Sequence, residues 1–367
     1  MQALEAGRPN PSMVVVHDEK NQVGLPGADV TYLVLGSPTT DRLSQSQLGR
    51  HHLEQSPHSI RQSISDWRYG LKTLWLFTYS EHKTVVYPSA AFGIFAALSG
   101  PVLTTNPSPS PWDIFGARVP RVIFYCWLNI LAFTVSNQRH SNSVVEDSIN
   151  KPWRPLPSGR ISVAQTRRLL LAIIPTLLIA TLFLGGATPT LYALALTWMY
   201  NELGGADESF VIRNLLNACG LVSYAAGASE IASGIGNFSL NSVAYSWLAI
   251  VAAIIATTLQ VQDLRDQEGD RTRDRSTCPL VFGDGCARWM CAVPIFLWSF
   301  ACPAFWELGV FGYVGPVLIG TIIAARALSL RNSKADEITW KLWGLWMTSI
   351  YVLPLWKDYS IFFRFAQ

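Results

Sequence analysis

The stretch "LQVQDLRDQEGDRTRDRSTCPLVFG" (residues 259–283) decides how this chain is read. Four aspartates, one glutamate and four arginines crowd into it, directly after "YSWLAIVAAIIATT" (245–258), which carries no charge. Asp263, Asp266 and Asp270 stand at i, i+3 and i+7. On a helix turning about 100° per residue, their carboxylates fall within roughly 60° of arc. An ionised side chain at a bilayer's centre costs about 2.5–3.5 kcal/mol. Even at the interface, three clustered acids repel one another unless a cation answers them. Oxygen donors without His or Cys select a hard divalent ion, and Mg2+ is the one that commonly accompanies a phosphate. The plainer alternative is a solvated loop whose acids are paired by its own arginines.

The rest of the chain supplies the greasy surroundings. Of 367 residues, 50% are hydrophobic and 14% charged, against about 25% charged in a typical soluble protein. That balance argues against a soluble enzyme and for an all-α membrane protein with several spans; no nucleic-acid partner is expected. A bilayer core needs about 20 apolar residues per helix. Nine stretches qualify as candidates: 85–104, 117–136, 168–186, 188–203, 211–232, 243–262, 287–306, 309–327 and 341–357. Residues 1–66 are polar, lack the pattern of a signal peptide, and read as a disordered cytosolic tail ahead of a transmembrane catalytic domain over 67–367. The six cysteines are scattered through or beside apolar runs, without metal or disulfide spacing.

Cations set the expected orientation. Arg139, Lys151, Arg154, Arg160, Arg167 and Arg168 follow the second span, Arg265, Arg271, Arg273, Arg275 and Arg288 the sixth, and Arg326, Arg331, Lys334 and Lys341 the eighth. The opposite loops, apart from Arg118 and Arg121, are nearly free of them, so these three loops are expected in the cytosol. The far-side sequon at Asn237 reads as chance, and Lys357 and Arg364 close the chain on that side. A second polar cluster, "NQRHSNSVVEDSINKPWRPLPSGRIS" (137–162), lies at the same end as the first. Asn137, Glu146, Asp147 and Asn150 are oxygen donors there, and Lys151, Arg154 and Arg160 are cations. Two such clusters on one side imply a shared cavity for Mg2+ and a diphosphate, although 137–162 alone could be an ordinary basic loop. Lys83 and Arg213 could reach the diphosphate, or could be interfacial anchors. "NELGGADES" (201–209) could cover the cavity.

These residues resemble the UbiA superfamily of intramembrane prenyltransferases over about 67–357. "DLRDQEGDR" matches the family's second aspartate motif, DxxDxxxD, at Asp263, Asp266 and Asp270, and "RPLPSG" (154–159) matches the segment that follows the first. The resemblance implies nine transmembrane helices around a central cavity, with two acidic motifs binding Mg2+ and a prenyl diphosphate. The first motif departs from the family's NDxxDxxxD. Counted back from "RPLPSG", Asn137 is kept, but Gln138, Ser141 and Val145 occupy the aspartate positions, with Glu146 and Asp147 just beyond. That degenerate motif is similar to a fungal branch containing membrane-bound sesquiterpene cyclases.

What this implies is a Mg2+-dependent cyclase of farnesyl diphosphate in secondary metabolism. Asp263, Asp266, Asp270, Glu146 and Asp147 would act as catalytic acids, and with Asn137 and Asn150 as metal ligands. Lys83, Arg154, Arg213 and Arg271 would bind diphosphate. A prenyltransferase acting on an aromatic or lipid-alcohol acceptor, and an ion-coupled transporter, are the alternatives. Membrane lipid is the expected surrounding, and the endoplasmic reticulum the expected membrane.

Overall fold

Several of the apolar helices open on a side-chain cap from Ser or Asn, and Gly185, Gly186, Gly234 and Gly283, each of positive φ, mark breaks between others. The computed structural model describes residues 60–357, apart from 235 and 237. The long helices are α1 (Ile60–Thr78), α2 (Tyr87–Leu98), α3 (Val119–Gln138), α4 (Ser141–Asn150), α5 (Val163–Leu184), α6 (Ala187–Asn201), α7 (Phe210–Ser233), α8 (Ser242–Thr258), α9 (Asp263–Thr272), α10 (Asp284–Phe305), α11 (Val310–Ser329) and α12 (Ser333–Tyr351). Ser162 opens α5 with a reciprocal capping box, its side chain accepting from the Gln165 amide at 3.2 Å. Asn241 and Asn332 accept from the Ala244 and Ala335 amides, each at 2.9 Å, at the starts of α8 and α12. Residues 1–59 of the expected tail, Asn237 and Arg364 lie outside the described residues. Helix α1 begins at Ile60, ahead of the 66/67 boundary read from the sequence.

The helices close into a ring in which α7 packs against α2, α6 and α8. From α8 the ring continues through α10, α11 and α12 back to α2, and α3 joins α2 to α5. Small residues allow the tightest crossings. A Cβ on Gly93 of α2 would sit 2.5 Å from the carbonyl carbon of Ala228 on α7, so these two backbones touch. Arg288 ties the far arc together. It forks onto Asp336 of α12 with two bonds of 2.9 Å and caps α11 through Ala327 O at 2.9 Å and Leu330 O at 3.0 Å.

Each of the nine expected stretches holds a helix, but among the described residues five segments are both long and apolar enough to cross a membrane: Pro111–Gln138, Val163–Leu184, Ser242–Thr272, Asp284–Phe305 and Val310–Ser329. Five of the nine expected spans thus meet both criteria. Helix α2, with 12 residues, and α6, with 15, are short against a hydrocarbon core of about 30 Å. Helices α7 and α12 are more polar because they turn Arg213 and Asp336 inward. The outer helices behave as expected of a membrane protein: α5 buries 17% of its apolar window and exposes Leu171, Ile179, Leu182 and Phe183.

Candidate active site

The acidic stretch is helical where the periodicity predicted it. Asp263, Asp266 and Asp270 all lie on α9 and line one central cavity of about 140 Å3. Facing them are Asn137 at the end of α3, Glu146 of α4, Arg154 beyond α4 and Arg213 of α7. The rest of the lining is largely apolar and aromatic, including Ile130, Phe133, Leu216, Tyr200, Tyr224 and Trp340, with Thr134, Thr197 and Asn217 among them. Trp340 is itself stacked on Trp343, ring centroids 4.9 Å apart.

Four of the expected residues stand elsewhere. Asp147 is buried with both oxygens on Arg154 Nη1, at 2.8 and 2.9 Å. Lys83, Asn150 and Arg271 line a neighbouring cavity of about 520 Å3, which shares Thr84, Lys151, Asp266 and Trp340 with the central one. The π-helical turn over His82–Val86 presents Val85 to the central cavity, Lys83 to the other and Thr84 to both. Asn150 is wedged against α9: its amide donates to Asp266 O at 3.3 Å, over Gly269, where any Cβ would meet that nitrogen at 2.2 Å.

The structure also supplies a residue that pattern reading missed. Helix α9 ends at Thr272, and Asp274 takes a left-handed φ of +54°, a conformation Asp tolerates. The reversed chain brings the Arg275 amide to Asp270 O at 3.1 Å and points its guanidinium into the central cavity. Arg275 then contacts Asp270 at 3.2 Å, Glu146 at 3.3 Å and Asp207 at 3.3 Å. Arg273 bridges Asp207 at 2.8 Å to Glu146 at 3.1 Å. Thus "NELGGADES" docks on the rim through Asp207. Burial alone would raise that carboxyl, but the bonds and charges of Arg273 and Arg275 outweigh it and hold it below the ordinary aspartate range. In the sequence Arg275 stood only as the last of the four arginines in 259–283, five residues after Asp270.

Neither simple reading of the acids holds. They are not solvated, since Asp263 and Asp270 are 2% and 1% exposed. Nor are they gathered as a ready metal cage: among the described residues, no three His, Cys, Asp or Glu side chains are so placed. Each inward acid meets a cation instead: Asp263 with Arg213, Asp270 and Glu146 with Arg275, Asp266 with Arg265 at 3.2 Å and Lys151 at 3.9 Å, and Glu81 with Arg154 at 3.0 Å.

The pairing is incomplete in a telling way. Asp270 Oδ2 is a buried acceptor without a partner, and Arg154 Nε and Arg213 Nε are buried donors without one. Burying a polar group unsatisfied is costly. An orphan carboxylate oxygen suits a hard cation, and orphan guanidinium donors suit a multiply charged anion. The donor set therefore fits Mg2+ together with a diphosphate.

A charged rim over an apolar chamber, in a helical membrane protein, defines an enzyme for amphiphiles with an anionic head. Residues 93–350 match the UbiA prenyltransferase family, and the chain belongs to it. It is 30% identical to fumagillin beta-trans-bergamotene synthase of Aspergillus fumigatus over 286 residues, covering 78% of this chain and 92% of that protein. It is 31% identical to somaliensene A/B synthase of Streptomyces somaliensis over 301 residues, covering 78% and 94%. A UbiA homologue from Archaeoglobus fulgidus, solved with GPP and Mg2+, shares the fold at a TM-score of 0.51 and 16% identity, over 77% of this chain and 99% of that one. The ion-transport reading is left without support.

Proposed function

We propose that the chain is a membrane-embedded terpene cyclase that ionises farnesyl diphosphate and closes it into a sesquiterpene, with Mg2+ as cofactor. The observation that carries this reading is the sorting of polarity around the central cavity: unsatisfied acid and guanidinium groups at the rim, aromatic and aliphatic walls beneath. Its similarity to two terpene synthases over most of their lengths favours cyclisation. Asp263, Asp266 and Asp270, with Asn137 beside them, are the oxygens proposed to hold the ion. Bound there, Mg2+ would neutralise charge developing on the leaving group.

Arg154, Arg213 and Arg275 would grip the diphosphate as the C–O bond breaks and the electron pair leaves with it. The allylic cation would be taken up by the substrate's own double bonds against Tyr200, Tyr224 and Trp340, worth about 2 kcal/mol per desolvated ring. Proton transfer from the final cation to the released diphosphate ends the cascade, and the apolar walls keep out the water that would otherwise give farnesol. A cavity of 140 Å3 matches the roughly 150 Å3 void that admits one benzene. A fifteen-carbon chain therefore enters with movement of lining side chains.

The neighbouring 520 Å3 cavity favours a second reading, in which an aromatic or lipid-alcohol acceptor waits beside the cation and is prenylated. Membranes given farnesyl diphosphate and Mg2+ without acceptor separate the two. Cyclic hydrocarbon in the headspace is expected; turnover that appears only with an added acceptor establishes the transferase. Chelation should abolish the signal and Mg2+ restore it. The same proposal has all nine apolar helices crossing the endoplasmic reticulum membrane, with the rim facing the cytosol, which scanning cysteine accessibility in sealed microsomes would test.

A further inference from the structure

Two acids of the first rim, Glu146 and Asp147, have the chemistry to join Asp263, Asp266 and Asp270 around one divalent ion, yet their bonds are already committed. Both oxygens of Asp147 accept from Arg154 at 2.8 and 2.9 Å. Glu146 Oε2 accepts from Arg273 at 3.1 Å, and its Oε1 from Arg275 at 3.3 Å. The three arginines are themselves buried, with side chains 6–8% exposed, so an acid that left for a cation would take a charged partner from a guanidinium held away from water, leaving Arg154 with Glu81 alone or Arg275 with Asp270 and Asp207. Asp270 differs: one oxygen meets Arg275 at 3.2 Å while Oδ2 stays buried and unpartnered. Asn150 donates its amide N–H to the Asp266 carbonyl at 3.3 Å.

We infer that the divalent ion is held from the α9 rim, and that Glu146 and Asp147 are positioning residues that aim Arg275 and Arg154 at the diphosphate. This rests on the diphosphate reading proposed above. A chain of bonds carries the aim outward, from Asp270 through Arg275, Glu146 and Arg273 to Asp207 in the loop before α7. Pre-set guanidinium groups lose little freedom when the anion arrives.

The test needs no turnover. Purified full-length protein in nanodiscs is titrated with Mn2+, followed by the free-ion paramagnetic resonance signal, and separately with inorganic diphosphate by calorimetry in chelator. Glu146→Gln and Asp147→Asn should bind Mn2+ within twofold of the parent and inorganic diphosphate at least tenfold more weakly. Asp270→Asn should lose at least tenfold in Mn2+. Asp147→Glu, which keeps an acceptor for Arg154, should recover part of the diphosphate affinity. Should Glu146→Gln fail to fold, Asp207→Asn, outside the cavity, carries the same expectation. Loss of Mn2+ affinity in Glu146→Gln or Asp147→Asn comparable to Asp270→Asn overturns the assignment, as does unchanged diphosphate binding in both. Absence of farnesyl diphosphate turnover in the parent would instead strike the cyclase reading, while both titrations could still be read.

Discussion

Asp263→Ala is expected to cost the protein its stability as well as its chemistry. Asp263 and Arg213 are 2% and 3% exposed and bonded to each other, and Arg213 Nε already lacks a partner. Removing the carboxylate leaves a guanidinium in the interior with nothing to answer its charge, a change that costs about 3–5 kcal/mol. Against a total stability of about 5–15 kcal/mol, that is a fifth or more. At about 2 °C per kcal/mol for a chain of this size, melting should fall by roughly 6–10 °C.

Asp263→Asn keeps an oxygen for Arg213 and should lose about half as much. The double variant Asp263→Ala/Arg213→Met removes both charges and should melt near the parent, while remaining inactive. Asp270→Ala is the control, because Arg275 retains Glu146 and Asp207, both at 3.3 Å. Thermal unfolding of purified protein reads all four. The reasoning fails if Asp263→Ala melts within 2 °C of the parent, or if the double variant melts below the single one.

Gly269→Ala would place a Cβ 2.2 Å from Asn150 Nδ2. Overpacking of this kind costs about 1–3 kcal/mol, and adding Asn150→Ala should restore the melting temperature. Asp207 has a carboxyl lowered on folding, so its contribution is complete above the ordinary aspartate value of about 3.9 and is lost as pH falls through the lowered value. Protection of residues 202–209 against hydrogen exchange, relative to the intrinsic rate at each pH, should therefore stay high at pH 5–7 and fall below about pH 4, whereas in Asp207→Asn it should be low throughout; identical profiles would remove Asp207 from the docking contact. Trp340→Ala takes an aromatic face off the cavity, and about 2 kcal/mol of lost cation stabilisation corresponds to roughly thirtyfold slower cyclisation. Gas chromatography should show farnesol rising at the hydrocarbon's expense, and an unchanged product ratio would place Trp340 outside the reacting centre.

Composition and short-range order were enough to read an all-helical membrane protein with its acids on one helical face. Both follow from local physics: helix periodicity puts Asp263, Asp266 and Asp270 on one side whatever surrounds them, and apolar runs of this length have few places to go but lipid. Tertiary structure alone decided what those acids touch. Arg213 reaches Asp263 across 50 positions, and Arg275 reaches Glu146 across 129. No local spacing encodes pairs so far apart in the chain. Lys83, Asn150 and Arg271 carried the right chemistry in sequence, yet the packing placed all three in the next cavity, Asn150 at the close crossing over Gly269. Charge can be read one residue at a time, but its partner is chosen by how helices pack, because a buried ion must be matched by whatever the fold brings within about 3 Å.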